Sequence, residues 1–151
     1  GNALKNVGLD ALSPSLDTQY LLSHLSKRKT SIKGFLLDQS HIAGIGNIYA
    51  DEILFASKIH PSTLCSQISK EAATTLISEM RRILLLSISY RGTSLGNGES
   101  NYQIQGMRGE YQQHLQVFQK SGQPCPTCHT PIEKIQVAQR GTHYCPTCQV
   151  L

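Results

Sequence analysis

The chain of 151 residues has no long hydrophobic run, and its longest apolar stretch is the four residues ILLL at 83–86. A membrane-crossing helix needs about 20 such residues, so none is expected. No charged-then-apolar leader opens the sequence, which argues against secretion. It starts with Gly1 rather than methionine, and reads as a fragment carrying a tag remnant. It also lacks a Ser/His nucleophile set, paired carboxylates and an open metal site of the kind hydrolytic chemistry uses. No repeat or low-complexity tract appears apart from two short cysteine motifs.

The apolar fraction of 39% fits one sizeable core with a small satellite. Net charge is +4, weak evidence for nucleic acid by itself. Its distribution is more telling, because KRKTSIK gathers Lys27, Arg28, Lys29 and Lys33 within seven positions.

The expected fold is mainly α: a helical bundle followed by a small β-hairpin zinc finger. Residues 1–13 read as a linker or tail, 14–114 as the helical domain and 115–151 as the finger. Within SPSLDTQYLLSHLSK, Leu16, Tyr20, Leu21 and Leu25 line one face of a helix over about 15–26, capped by Ser13 or Ser15. Further helices are expected over about 31–39 and 47–57. SKEAATTLISEMRRILLLSIS carries a continuous apolar stripe from Ala72 to Ile88, with Ser69 as its cap. Residues 91–113 hold five glycines without any sustained period, which marks a long functional or disordered loop. Three short strands are then expected, at LQVFQ, IEKIQV and THYC.

Cys125 and Cys128 form one CPTC, Cys145 and Cys148 another, with sixteen residues between them. That is the C-x2-C-x15–20-C-x2-C zinc spacing. Two knuckles can place four thiolates about 2.3 Å from one tetrahedral Zn²⁺ and close its shell, so the ion is structural. His129 and His143 are surplus, and Cys65 is expected to pack as a small hydrophobe. Between the knuckles a hairpin turns at AQRG, with Arg140 at its tip.

In HIAGIGNIYADEIL, residues 41–54, Gly44 and Gly46 interrupt a helical pattern. Glycine costs a helix about 1 kcal/mol, and here it permits tight, left-handed turns and close backbone approach. The unpaired amides opening the next helix suit an anion. Asn47 is expected either to cap that helix or to donate to a phosphate, and Lys33 to reach the same anion. Asp51 and Glu52 are expected to complement the positive helix end.

The run Gly44 to Ala50, G-I-G-x-x-x-A, resembles a helix-hairpin-helix. The longer IKGFLLDQSHIAGIGNIYADEILF looks much more like the helix–two-turns–helix of formamidopyrimidine-DNA glycosylases. VAQRGTHYCPTCQ and HLQVFQKSGQPCPTC resemble the zinc finger that closes those enzymes, and the related endonuclease VIII branch is less similar. The resemblance covers roughly residues 9–150. It implies base-excision repair of oxidised purines such as 8-oxoguanine in the bacterial cytoplasm, at the nucleoid, on duplex DNA with damaged or abasic sites. It implies DNA contacts at Arg28, Lys33, Gly44, Gly46, Asn47 and Arg140, with Arg140 assisting the second elimination. It implies one structural zinc and, in the 92–112 segment, a loop over the flipped base. The family's nucleophile, an N-terminal proline followed by glutamate, has no counterpart in GNALKN. A catalytic N-terminal domain of the parent chain is therefore the expected partner, and the fragment alone is expected to be inactive. The alternatives are a stand-alone zinc-ribbon adaptor for nucleic acid or protein, and a plain structural bundle.

Overall fold

The computed structural model describes residues 8–91 and 112–151. The elements follow the order β1 (Leu9–Asp10), α1 (Thr18–Leu25), α2 (Ile32–Leu37), β2 (Ile42–Ala43), α3 (Asn47–Ser57), α4 (Lys70–Arg91), β3 (Glu133–Val137) and β4 (Arg140–Tyr144). A 3-10 turn at Cys65–Gln67 lies between α3 and α4. No helix among the described residues is long and apolar enough to cross a membrane. The glycine-rich loop expected over 91–113 falls almost wholly outside the described residues.

The central element is α3, buried from Ile48 through Phe55. A helix with no solvent face belongs inside a core. Here α1, α2 and α4 surround it in one cluster that includes Leu21, Phe35, Tyr49, Ile53, Leu76, Met80 and Leu84. The α3 chain reverses at Lys58, whose φ of 60° is left-handed. The Ile59 N–H donates to the Leu54 carbonyl and the Lys58 N–H to Phe55, the six-to-one closure of a Schellman end.

Three boundaries differ from expectation. Residues 8–13 are not a tail: β1 pairs in parallel with β2, Leu9 opposite Ile42, and Ala11 is fully buried. Helix α1 starts at Thr18, because Asp17 caps it by accepting from the Tyr20 N–H at 2.8 Å. LQVFQ is not a strand, since its backbone donors are spent on a carboxylate of α3. The finger's sheet is therefore two-stranded, β3 antiparallel to β4 with Val137 opposite Arg140. Ser69 does cap α4, its Oγ accepting from the Ala72 N–H at 3.0 Å. Cys65 is buried in the helical core as expected.

Candidate nucleic-acid interface and zinc centre

The four cysteine Sγ atoms at 125, 128, 145 and 148 lie within 4.8 Å of one another. Sulfurs about 2.3 Å from a tetrahedral zinc sit about 3.8 Å apart. The Cys125–Cys148 and Cys128–Cys145 separations of 3.9 and 3.4 Å fit. Both knuckles share one backbone design: the His129 N–H donates to the Cys125 carbonyl and the Gln149 N–H to Cys145, each at 2.9 Å. Cys65 and His129 stand outside this group, and His143 turns to a carboxylate instead. The residues hold one structural zinc with no open position.

The finger is welded to the helical part by polar groups on α3. Asp51 and Glu52 do not serve the helix's positive end, as there is no acidic residue in its first turn. Asp51 Oδ1 meets Lys33 Nζ at 2.6 Å, and both side chains are fully buried. Asp51 Oδ2 accepts from the His143 N–H at 3.0 Å and lies 3.2 Å from His143 Nδ1. Glu52 accepts the N–H groups of Gln116, Val117 and Phe118 at 2.8–2.9 Å, which is where the donors of LQVFQ go. Burial pushes the Glu52 carboxyl above the usual carboxylate range, and those three donors pull it back. Gln149 is fully buried; it accepts from the Cys145 N–H and donates to the Ile59 carbonyl, tying the second knuckle to the end of α3.

The structure brings Lys33, Asn47 and Arg140 to one junction of α2, α3 and β4. The Gly141 carbonyl accepts from both Lys33 Nζ and Asn47 Nδ2, each at 3.2 Å. Arg140 is the next residue along the strand and is exposed. It does not occupy the hairpin tip itself, since the two central turn residues are Ala138 and Gln139 with φ of 54° and 63°. Left-handed φ at both central positions is the geometry that matches a two-residue hairpin to the strand twist.

Two expectations about this junction need correcting. Lys33 is not a surface cation: it has no exposed area, and Thr142 Oγ1 accepts a further bond from it at 2.8 Å. Burial pulls its pKa down, Asp51 pulls it up, and the nearby Arg140 charge pulls it down again. Asn47 does not cap α3, because it is the first helical residue and the cap position is Gly46, with no side-chain bond. Its Oδ1 is buried without a partner. Of the two glycines only Gly44 is left-handed, at φ 101°, while Gly46 has an ordinary φ of −99°. Arg28 stands exposed after α1, and its charge is felt at Asp38, His41 and Cys65.

Sequence reasoning did not assign Gln39, Thr142 or Gln149 a role, and gave Asp51 and Glu52 the wrong one. The available signal was that both acids fall on a helix with apolar residues all round, where no solvent face remains for them.

Residues 7–98 match the formamidopyrimidine-DNA glycosylase H2TH domain, and residues 122–150 the zinc finger found in FPG and IleRS. The formamidopyrimidine-DNA glycosylase of Pediococcus pentosaceus is 45% identical over 148 residues, covering 98% of this chain and 53% of that protein. That of Symbiobacterium thermophilum is 45% identical over 135 residues, 87% of this chain and 42% of that one. Among solved structures, the Lactococcus lactis enzyme in complex with abasic-site DNA matches with a TM-score of 0.84 at 36% identity, over 99% of this chain and 54% of that one. MutM in complex with DNA containing carbocyclic 8-oxo-G matches with a TM-score of 0.85 at 36% identity, over 99% and 53%. The chain spans about half the length of the relatives it matches. With its helix–two-turns–helix part and its four-cysteine finger both matched in order, this chain belongs to the formamidopyrimidine-DNA glycosylase family.

Proposed function

We propose that these residues are the DNA-gripping half of a bacterial base-excision-repair glycosylase and AP lyase acting on oxidised purines. It works in the cytoplasm, at the nucleoid, on duplexes with damaged or abasic sites, together with an N-terminal catalytic domain of the same parent chain. The observation that carries this reading is the shared Gly141 carbonyl, which sets the glycine turn beside the finger's arginine. A phosphate at this junction would meet the N-terminal end of α3, the Asn47 side-chain amide and the Arg140 guanidinium. Asn47 Nδ2 can leave Gly141 for a phosphate oxygen without orphaning that carbonyl, because Lys33 stays bonded to it. Arg28 would add a second phosphate contact from the basic stretch. Lys33 acts as a positioning residue here, holding β4 against α3 from inside.

The lyase chemistry needs an amine that attacks C1′ and forms an imine. All six prolines of this sequence are internal, and an internal proline nitrogen is an amide without nucleophilic character. Arg140 can assist only the later elimination, after the imine exists. The test is fluorescence anisotropy on a duplex carrying an abasic analogue, across 50–200 mM salt. Binding should weaken with salt through counterion release, and Arg140→Ala should reduce the log–log slope by about one. Salt-independent binding, or none, would refute the reading. Borohydride trapping on an abasic duplex should need the separately made N-terminal domain.

A further inference from the structure

The turn before α3 is organised by a side chain that lies outside the glycine motif. Gln39 Oε1 accepts from the Gly44 N–H at 2.7 Å, and Gln39 Nε2 donates to the Ile45 carbonyl at 3.2 Å and to the Leu37 carbonyl at 3.4 Å. One primary amide thus bridges two peptide planes. Each plane is rigid, with its C=O and N–H pointing in opposite directions. In the 43–44 plane the Gly44 N–H faces Gln39, so the Ala43 carbonyl must face away, and it accepts from the Ala11 N–H at 3.1 Å. That plane is held from both sides. In the 45–46 plane the Ile45 carbonyl faces Gln39, so the Gly46 N–H must face away from it. Gly46 is the cap residue of α3 and has no side-chain bond there.

We propose that Gln39 is a positioning residue for phosphate recognition: by holding the Ile45 carbonyl inward it turns the Gly46 N–H outward, beside Asn47, toward the anion. The inference rests on the DNA reading above and adds to it the element that aims the backbone donor. The Ile45 carbonyl, left free to swing, would bring a partial negative charge to the place where the phosphate binds and take the donor away.

The test uses the zinc-loaded 151-residue chain, the abasic-analogue duplex and two variants. Gln39→Met keeps the length and removes all three bonds. Gln39→Glu keeps the acceptor for Gly44, and its carboxyl regains the donor to Ile45 only when protonated. Gln39→Met should bind DNA about five- to tenfold more weakly, the worth of one or two hydrogen bonds. Its salt slope should be unchanged, since no cation is lost. Gln39→Glu should be at least as weak at pH 7.5 and approach wild-type affinity toward pH 4.5, near the ordinary glutamate pKa. His41 and Asp38 titrate nearby in both proteins, so the ratio to wild type at each pH is the quantity read. In nitrogen-15 spectra the Gly46 amide should shift on DNA addition in the wild type and not in Gln39→Met. Wild-type affinity and a normal Gly46 shift in Gln39→Met would overturn the inference, and any Gln39→Glu effect would then be charge repulsion alone. A wild-type chain that binds no duplex would instead overturn the DNA reading itself.

Discussion

The helical part and the finger solve the folding problem by different means. The helical part buries a cluster running from Ala11 to Leu84, with large side chains such as Tyr49, Phe35 and Leu54 fully enclosed. The finger's own cluster is Phe55, Val117, Cys125, Ile132 and Cys145. Two of those five are zinc ligands, and Phe55 is lent by α3. A side chain buried in full contributes about 1.5–3 kcal/mol, so the first cluster outweighs its chain entropy and the second does not. The finger depends on its ion and on α3, and both dependences can be tested separately.

Removing zinc should give the largest effect. Structural zinc sites contribute about 10–16 kcal/mol of apparent binding energy, far beyond what this small cluster supplies. Chelation should erase the ordered amide signals of residues 120–151 while the helical signal of α1 to α4 survives. Melting of both parts together would show that the helical core is not independent. A Cys125–Cys128 disulfide, or a chain purified without zinc, would refute the metal assignment.

The same contrast explains what the sequence disclosed. Helix α4 was legible because its apolar period and its Ser69 cap agree with its final burial, and the zinc site because ligand spacing is local. The seam was not legible. The apolar positions all round its helix signal that Asp51 is buried, but nothing in one dimension shows that Lys33, Thr142 and His143 will surround it. Residues 8–13 misled for a related reason: two residues of parallel pairing leave no periodic trace, and Ala11 is too small to announce a core. LQVFQ is short and rich in strand-forming residues, yet its amides serve Glu52.

Breaking the seam should give the next effect. Lys33→Met leaves the Asp51 carboxylate buried without its cation, which costs about 3–5 kcal/mol. DNA affinity should fall as Arg140 loses its support, while the salt slope stays that of wild type, because Lys33 touches no phosphate in this arrangement. A slope reduced by about one would restore Lys33 as a direct contact. Lys33→Met with Asp51→Leu should recover part of the stability and not all, since the His143 N–H is left without its acceptor. Urea titrations of the three zinc-loaded proteins decide this.

The smallest effect should come from the far end of the seam, at His60. Its ring packs edge-on against Tyr144 of the finger at 4.7 Å, and its Nδ1 accepts from the Ser62 N–H at 3.0 Å. Burial holds its pKa below the ordinary 6.5, and the accepted bond also requires the neutral ring. Between the depressed pKa and about 6.5 the unfolded chain therefore binds more protons than the folded one. Stability rises with pH across that window and is lost as pH falls through it. His41, whose pKa is also lowered by burial, adds a term of the same sign, so removing His60 should flatten the dependence in part. His60→Asn offers an oxygen acceptor to Ser62 and cannot titrate. Urea unfolding in excess zinc from pH 5.5 to 7.5 should show a shallower acid loss in His60→Asn, by about 1 kcal/mol or less, because one pKa unit is worth about 1.4 kcal/mol. Taking the difference between variant and wild type at each pH removes the protonation of the cysteines, which both share. Parallel curves would mean that His60 binds protons equally in both states over this range, and that the contact with Tyr144 carries no acid sensitivity.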